Sequence, residues 1–132
     1  IVVKLMQKLD LLSLRPDIPN LHSRPDQSGE EQFQQVVLRP LLKLHNDRFV
    51  VLFRHYLHQR KQQWDKKSHK ARLAYIEHAL KTDQRLQERL LGLLLGWLTD
   101  EEVERYFTME KEINRRLRTL LIQRLQDQMV LT

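Results

Sequence analysis

Cysteine is absent from the 132-residue chain, and this absence excludes several chemistries. Without thiolates the protein can have no disulfide bond, no cysteine nucleophile, and no zinc or iron–sulfur site that depends on cysteine ligands. Glycine and proline are scarce as well, with three and four residues respectively. Three of the prolines, Pro16, Pro19 and Pro25, lie within ten residues. The rest of the chain is therefore almost free of residues that interrupt helices.

Three further features are missing. No glycine-rich loop occurs, which leaves phosphoryl-transfer chemistry without support. The longest apolar run, over residues 92–98, is far shorter than the roughly 20 residues that a membrane-spanning helix needs. Residues 1–14 carry no basic stretch before an apolar one, so they do not form a signal peptide. We therefore expect a cytoplasmic protein with no membrane partner and no cofactor.

What is present is typical of an all-α protein. Hydrophobic residues make up 41% of the chain and charged residues 30%, which is a globular composition. Leu, Gln, Arg, Lys and Glu dominate, and all of them favour helices. The predicted fold class is all-α, a single-domain bundle of five to six helices with a long central helix over residues 41–66.

The domain organisation follows from periodicity and breakers. Leu5, Leu9 and Leu12 have helical spacing, which predicts an N-terminal amphipathic helix over residues 1–14. Residues 15–28 combine Pro, Asp, Asn and Ser, which predicts a Pro-rich loop. A helical bundle domain over residues 29–132 follows.

Capping patterns and one proline mark helix boundaries inside the bundle. Ser28-Gly-Glu-Glu31 and Thr99-Asp-Glu-Glu102 both fit the capping box, which predicts a helix start at each. At Pro40 the missing backbone N–H predicts either a kink or the first position of a new helix.

A polar cluster interrupts the start of the predicted central helix. It consists of His45, Asn46, Asp47 and Arg48, one turn before the apolar run 49–53, which we expect several helices to contact. A pocket lined by His45 and Asp47, with Arg48 beside them, would suit acid–base catalysis. Alternatively, Asn46 and Asp47 satisfy backbone groups near Pro40 or cap a neighbouring helix. We favour the structural interpretation.

The net positive charge is concentrated in residues 54–72. Seven basic residues stand there against one acid, Asp65, and the resulting +6 equals the net charge of the whole chain. With Trp64 in its middle, the segment resembles a phosphate-contacting surface, although no helix-turn-helix or basic zipper pattern accompanies it. A solvated helix end is the commoner origin of such a run. The polyanion-binding candidates are Arg54, Arg60, Lys61, Lys66, Lys67, Lys70 and Arg72.

Two residue pairs, three and four positions apart, each share one face of a predicted helix. His55-x-x-His58 places two imidazoles on one helical face, but a third ligand would have to come from elsewhere and no Glu-x-x-His pattern occurs. We therefore expect no metal. Gly92-x-x-x-Gly96 lets another backbone approach closely. Because each glycine costs a helix about 1 kcal/mol relative to alanine, we expect a tight helix crossing there.

Four stretches resemble a small uncharacterised all-α bacterial family whose members sometimes bear the label glyoxalase. The resemblance implies that Arg39, Asn46 and Asp47 are hallmark polar positions of that family. Enzymes of the glyoxalase I type are built on paired β-strand modules with metal ligands on strands, and this sequence offers neither, so the label is not carried over. The four stretches are Leu38-Arg-Pro-Leu-Leu-Lys-Leu-His-Asn-Asp47, Phe53-Arg-His-Tyr56, Tyr75-Ile-Glu-His-Ala79 and Arg124-Leu-Gln-Asp-Gln128.

Three hypotheses for the function follow from the sequence. The leading one is a non-enzymatic helical interaction or scaffold protein that self-associates through an apolar helix face, as a homodimer or other homo-oligomer. The second is a nucleic-acid or polyanion binder that uses residues 54–72. The third is a small enzyme with a pocket around residues 45–48.

Overall fold

The structure is a computed structural model, and it describes residues 1–16 and 28–129. Every regular element in these two ranges is a helix, so the predicted all-α class is confirmed for the described chain. Most of the predicted Pro-rich loop, 15–28, lies outside the described residues. None of the described helices is long and apolar enough to cross a membrane.

The described chain contains seven helices, against the five to six predicted. In this count the second and third α-helical segments are one continuous helix, because a π-helical turn joins them. The elements are α1 (Val2–Ser13), α2 (Gly29–Phe33), the π turn (Gln34–Leu38), α3 (Arg39–Leu44), α4 (Asn46–Gln59), a 3₁₀ turn (Trp64–Lys66), α5 (His69–Thr82), α6 (Gln84–Leu95), α7 (Asp100–Thr108) and α8 (Glu110–Met129).

The helix continues through Pro40, which is buried. The π turn lies immediately before the proline, and the N–H of Arg39 bonds five residues back to the carbonyl of Gln34. A π turn widens the helix locally. The wider turn gives room to the proline ring, which in a regular α-helix clashes with the carbonyl four residues earlier. Neither a helix end nor a new start is needed at this position.

The predicted central helix 41–66 is divided. His45 has non-helical dihedrals (φ −101°, ψ 16°) and separates α3 from α4. Helix α4 then ends at Gln59, seven residues before the predicted end. The apolar run is also not covered on all sides, since Val51 is 61% exposed while Phe49 and Phe53 are buried.

Lys61 explains why α4 ends where it does. Its φ of 55° is left-handed. Its N–H bonds to the carbonyl of His58, and the N–H of Gln62 bonds to the carbonyl of Leu57, both at 3.0 Å. These two bonds form a Schellman motif, which usually has glycine at the left-handed position. Because a lysine occupies this position, no glycine in the sequence signals the helix end.

Two helix starts agree with the sequence patterns. The hydroxyl of Ser28 accepts the N–H of Glu31 at 3.1 Å. At Thr99 both halves of the capping box are present. Its hydroxyl accepts the N–H of Glu102 at 3.3 Å, and the Glu102 carboxylate accepts the N–H of Thr99 at 2.9 Å. Both predicted starts are confirmed.

The described residues form two compact units. The first is drawn from Ile1–Leu44 and Gly92–Leu117. The Arg105 guanidinium lies 5.6 Å from the centre of the Phe33 ring, and the Tyr106 hydroxyl donates to Asn114 at 2.6 Å. Its buried core includes Phe33, Val37, Leu38, Leu41, Leu42, Leu94, Leu98, Tyr106, Ile113 and Leu117.

The second unit is drawn from His45–Leu91 and Arg118–Thr132. The ring of Trp64 makes edge contacts with the rings of Phe53 and Tyr75, with distances between ring centres of 6.2 Å and 5.9 Å. The Gln126 amide donates to the carbonyl of Leu73 at 3.1 Å and so ties α8 to α5. Its buried core includes Phe49, Phe53, Leu57, Ile76, Ala79, Leu80, Leu86, Leu90, Leu120, Leu121, Leu125 and Met129.

Candidate functional site

Helix α1 presents an apolar stripe to solvent. The four stripe residues are 41% to 69% exposed, and no residue of α1 is buried. Their spacing of three, four and three residues is that of the a and d positions of two heptads. We call them the α1 seam, and they are Val2, Leu5, Leu9 and Leu12. Contiguous apolar exposure of this kind makes a surface a candidate for contact with another molecule.

The end of α1 is held by a strong ion pair. The guanidinium of Arg15 donates to both oxygens of Glu102, at 2.6 Å and 2.5 Å, and to the carbonyl of Trp97 at 3.1 Å. The Arg15 and Glu102 side chains are only 8% and 16% exposed. A second, exposed pair joins Lys8 to Glu101 at 3.2 Å. These contacts fix α1 on its polar side and leave the seam uncovered.

The acidity of Glu102 reflects this arrangement. Burial by itself disfavours the ionised form, but the hydrogen bonds from Arg15 and from the backbone of Thr99 outweigh it and hold the pKa of Glu102 below its ordinary value. The carboxylate therefore stays ionised at neutral pH and keeps its partner. The Arg15–Glu102 ion pair is therefore charged over the whole physiological pH range.

The polar cluster 45–48 is mainly a link to α8. The Asn46 amide donates to Gln128 at 3.3 Å, and its carbonyl accepts from Arg124 at 3.2 Å. Asp47 and Arg48 are exposed. Burial and the nearby Arg48 lower the pKa of His45, so its imidazole is neutral at pH 7. The Asn46 side chain thus contacts two side chains of α8, and none of these bonds is to a backbone group near Pro40 or to a helix cap.

Arg39, the third hallmark position, lies in the other unit. Its side chain is half-buried, and its Nε has no hydrogen-bond partner among the described residues.

The seven polyanion candidates fall into two groups. Three of them are engaged within the protein. Arg60 pairs with Asp83 at 2.5 Å, Lys67 lies 5.1 Å from the Tyr75 ring centre, and Arg72 donates to the carbonyl of Trp64 at 3.1 Å. The other four are exposed, and no ion pair joins them to any described residue. These are Arg54, Lys61, Lys66 and Lys70.

A cleft opens beside the C-terminal end of α4. It has a volume of about 570 Å³. Arg54, His58 and Lys66 line it, opposed by the single acid Asp65. The apolar part of its lining is formed by Leu57, Trp64 and Met129. We call this the α4-end cleft.

The other histidine of the His55-x-x-His58 pair does not line that cleft. Both imidazoles are exposed. Within residues 1–16 and 28–129, no three side chains of the His, Asp and Glu types are grouped closely enough to hold a metal ion.

A second polar cluster centres on Asp83, at the start of α6. Its carboxylate accepts the N–H of Leu86 at 3.1 Å, the Tyr56 hydroxyl at 2.8 Å and the guanidinium of Arg60 at 2.5 Å. These donors, the Leu86 N–H first, hold the pKa of Asp83 below its ordinary value. Burial, together with the bond to Asp83, raises the pKa of Tyr56 to about 12.

This Asp83 cluster borders a cleft of about 400 Å³ that also contains Tyr75 and His78. Every polar group of Asp83 has a hydrogen-bond partner within the protein. The cluster therefore connects helices α4, α5 and α6. Only the capping position of Asp83 had a sequence signal. Its partners lie 27 and 23 residues earlier, and no local pattern reveals contacts at that separation.

The stretches that carry the family resemblance meet in two pairs. Asn46 from the first contacts Arg124 and Gln128 from the fourth. Tyr56 from the second and Tyr75 from the third line the same cleft. Comparison of the chain with protein-family models, with curated proteins and with solved structures gives no match.

Proposed function

We propose that the protein is a non-enzymatic helical interaction protein that self-associates, with the α1 seam of one copy packing on the α1 seam of a second. The observation that carries the proposal is the exposure of all four seam residues on a helix that is anchored by its polar side. A helix placed in this way offers its apolar residues to a partner.

The energetics of α1 support a partner. Isolated helices of fewer than about 12–15 residues are marginal in water, and helices in proteins gain most of their stability by packing an apolar face. Helix α1 has 12 residues and none of them is buried. Packing of the seam against a second molecule would supply the burial that α1 lacks within its own unit.

The spacing of the seam favours a second copy of this chain. The seam follows the a and d spacing of a coiled-coil contact, and Val3 and Met6 beside it are also apolar and exposed. Lys8 on the polar side is already bound to Glu101. A second α1 presents an identical seam, so the contact closes around a two-fold axis.

Two heptads bury a modest area, and stable interfaces commonly bury at least about 1,200 Å². We therefore expect a reversible dimer whose population rises with protein concentration. Within this proposal we also expect the protein to be bacterial and to be located in the cytoplasm.

Sedimentation over a concentration series tests self-association. Leu9→Gln places a polar group in the centre of the seam and should shift the monomer–dimer equilibrium toward the monomer. Val3→Gln is the matched control, because Val3 is equally exposed on α1 but lies outside the seam. A single monomeric species at every concentration, or equal effects of the two variants, overturns the proposal.

A second candidate function is polyanion binding by the second unit. With its sequence ranges taken from the two-unit division, that unit has 13 basic and six acidic residues, while the first has 10 basic and 11 acidic. The net charge of +7 against −1 concentrates positive potential on one unit. Basic surfaces of this kind attract phosphate polymers.

Binding of a single-stranded oligonucleotide across a salt series tests this candidate. The exposed Arg54, Lys61, Lys66 and Lys70 should each contribute to the salt dependence, and replacing one by Gln should reduce the slope by about 1. Absence of binding at low salt eliminates polyanion binding. No comparable observation favours an enzyme centred on residues 45–48.

A further inference from the structure

We propose that the α4-end cleft binds a phosphate monoester that also carries a planar aromatic group, with a nucleoside monophosphate as the representative ligand. The proposal rests on the polyanion-binding candidate in that the same basic segment recognises the phosphate. It goes further by naming one cleft, of known volume, whose apolar lining residues form its floor.

The wall of the cleft is cationic and available. Arg54 and His58 are four residues apart on α4 and so lie on one face of the helix. Lys66 approaches from the 3₁₀ turn. All three are exposed, and none has an ion-pair or hydrogen-bond partner among the described side chains. A guanidinium, an imidazole and an ammonium together provide several donors for the three terminal oxygens of a phosphate monoester.

The adjoining helix end does not repel an anion strongly. Carbonyl groups at a helix C-terminus carry partial negative charge. Here the carbonyls of Leu57 and His58 accept the N–H groups of Gln62 and Lys61, both at 3.0 Å. These two carbonyls are therefore capped, and against the one acid of the cleft, Asp65, the wall supplies Arg54 and Lys66.

The floor is apolar and fixed in position. Leu57 and Met129 are buried. The indole N–H of Trp64 donates to the carbonyl of Met129 at 3.0 Å, and the Arg72 guanidinium lies 5.5 Å from the Trp64 ring centre. An aromatic side chain held by a hydrogen bond and a cation is preorganised, so a planar ligand group could bind without ordering it first.

The volume argues for a ligand larger than phosphate itself. Small-molecule pockets typically range over about 300–1,000 Å³, and the cleft has about 570 Å³. The carboxamides of Gln62 and Gln63 also line it. An amide donates and accepts hydrogen bonds, as the edge of a nucleobase requires.

Titration with adenosine monophosphate, adenosine and inorganic phosphate, followed by nitrogen–proton NMR spectra, tests the site. We expect the monophosphate to shift the indole signal of Trp64 and the backbone signals of residues 57–66, and to bind more tightly than either fragment. The indole of Trp97, which does not line the cleft, is the internal control. Equal binding of phosphate alone, or no shift at Trp64, overturns the proposal.

A pair of double variants separates specific contacts from general charge. Arg54→Gln with Lys66→Gln should weaken binding of the monophosphate by roughly tenfold or more, since both lost contacts are charge-assisted. Lys61→Gln with Lys70→Gln removes the same charge outside the cleft and should have little effect. Equal losses in the two double variants contradict the assignment of the cleft.

Oligonucleotides distinguish failure of this proposal from failure of the candidate on which it rests. A 5′-phosphorylated strand that binds more tightly than the unphosphorylated strand supports the cleft as a site for a terminal monoester. Equal binding of both strands, with losses shared by the two double variants, leaves polyanion binding intact and overturns the cleft. Binding of neither strand, with no binding of the monophosphate, overturns both.

Discussion

Glu102 accepts both a two-pronged ion pair from Arg15, at 2.5 and 2.6 Å, and the backbone N–H of Thr99 at 2.9 Å. The same carboxylate thus completes the capping box of α7 and anchors the end of α1. Because both functions depend on one side chain, the first unit couples the position of its N-terminal helix to the start of α7.

Substitution of Glu102 should therefore be costly. Removing one partner of a largely buried ion pair leaves a charge uncompensated, so Glu102→Gln should lower the free energy of unfolding by about 3 kcal/mol, measured by urea denaturation. Thr99→Ala, which loses the cap but keeps the pair, should lose only about 1 kcal/mol. Equal losses in the two variants would show that the ion pair contributes nothing beyond the cap.

The same pair should make stability depend on acid. The pKa of Glu102 in the folded protein lies below its ordinary value of 4.5. Its contribution is therefore fully present above about pH 4.5 and is lost as the pH falls through the lower, folded value. The difference in stability between wild type and Glu102→Gln should shrink in this acid range. A difference that is constant with pH would contradict this reasoning.

Lys61 offers a stabilising substitution. Its left-handed backbone costs a side chain roughly 1–2 kcal/mol relative to a right-handed conformation, and glycine avoids most of this cost. Lys61→Gly should raise the free energy of unfolding by about 0.5–1 kcal/mol, observed as a higher urea midpoint. Lys61→Ala removes the same charge without relieving the backbone and should bring no gain. A gain in Lys61→Ala as large as in Lys61→Gly would assign the effect to charge.

Tyr56 and Asp83 should be energetically coupled. Tyr56→Phe loses one hydrogen bond and should cost about 1 kcal/mol, while Asp83→Ala also loses the cap of α6 and should cost about 2 kcal/mol or more. In a double-mutant cycle the Tyr56→Phe cost should fall once Asp83 is absent. Full additivity would show that the 2.8 Å contact contributes no stability.

At Gly92 the structure differs from what the sequence spacing predicted. The Gly92-x-x-x-Gly96 spacing predicted a tight crossing, but among the described residues a Cβ at Gly92 would meet nothing within 4 Å, and one at Gly96 would meet only backbone oxygens of its own helix end. The expected crossing is therefore wrong. Gly92→Ala should stabilise the protein by about 0.5–1 kcal/mol through helix propensity. A loss of stability, measured in urea, would restore a close contact at this position.

Local patterns determined a substantial part of this protein. The all-α class, the helix starts at Ser28 and Thr99, and the periodicity of α1 are visible in the sequence because they depend on residues within one or two turns. The concentration of basic residues in 54–72 is equally local. Each of these features is set by composition or by contacts between near neighbours in the chain.

The tertiary structure decided the remainder. Only folding shows that Arg15 reaches a glutamate 87 residues away and that the α1 seam consequently stays in solvent. Only folding separates the four available cations of the basic segment from the three engaged ones. Continuation of the helix through Pro40 depended on a π turn, and the end of α4 at Gln59 depended on the left-handed backbone of Lys61. Such contacts and strains arise from packing at long sequence separation, and the sequence pattern carries no signal for them.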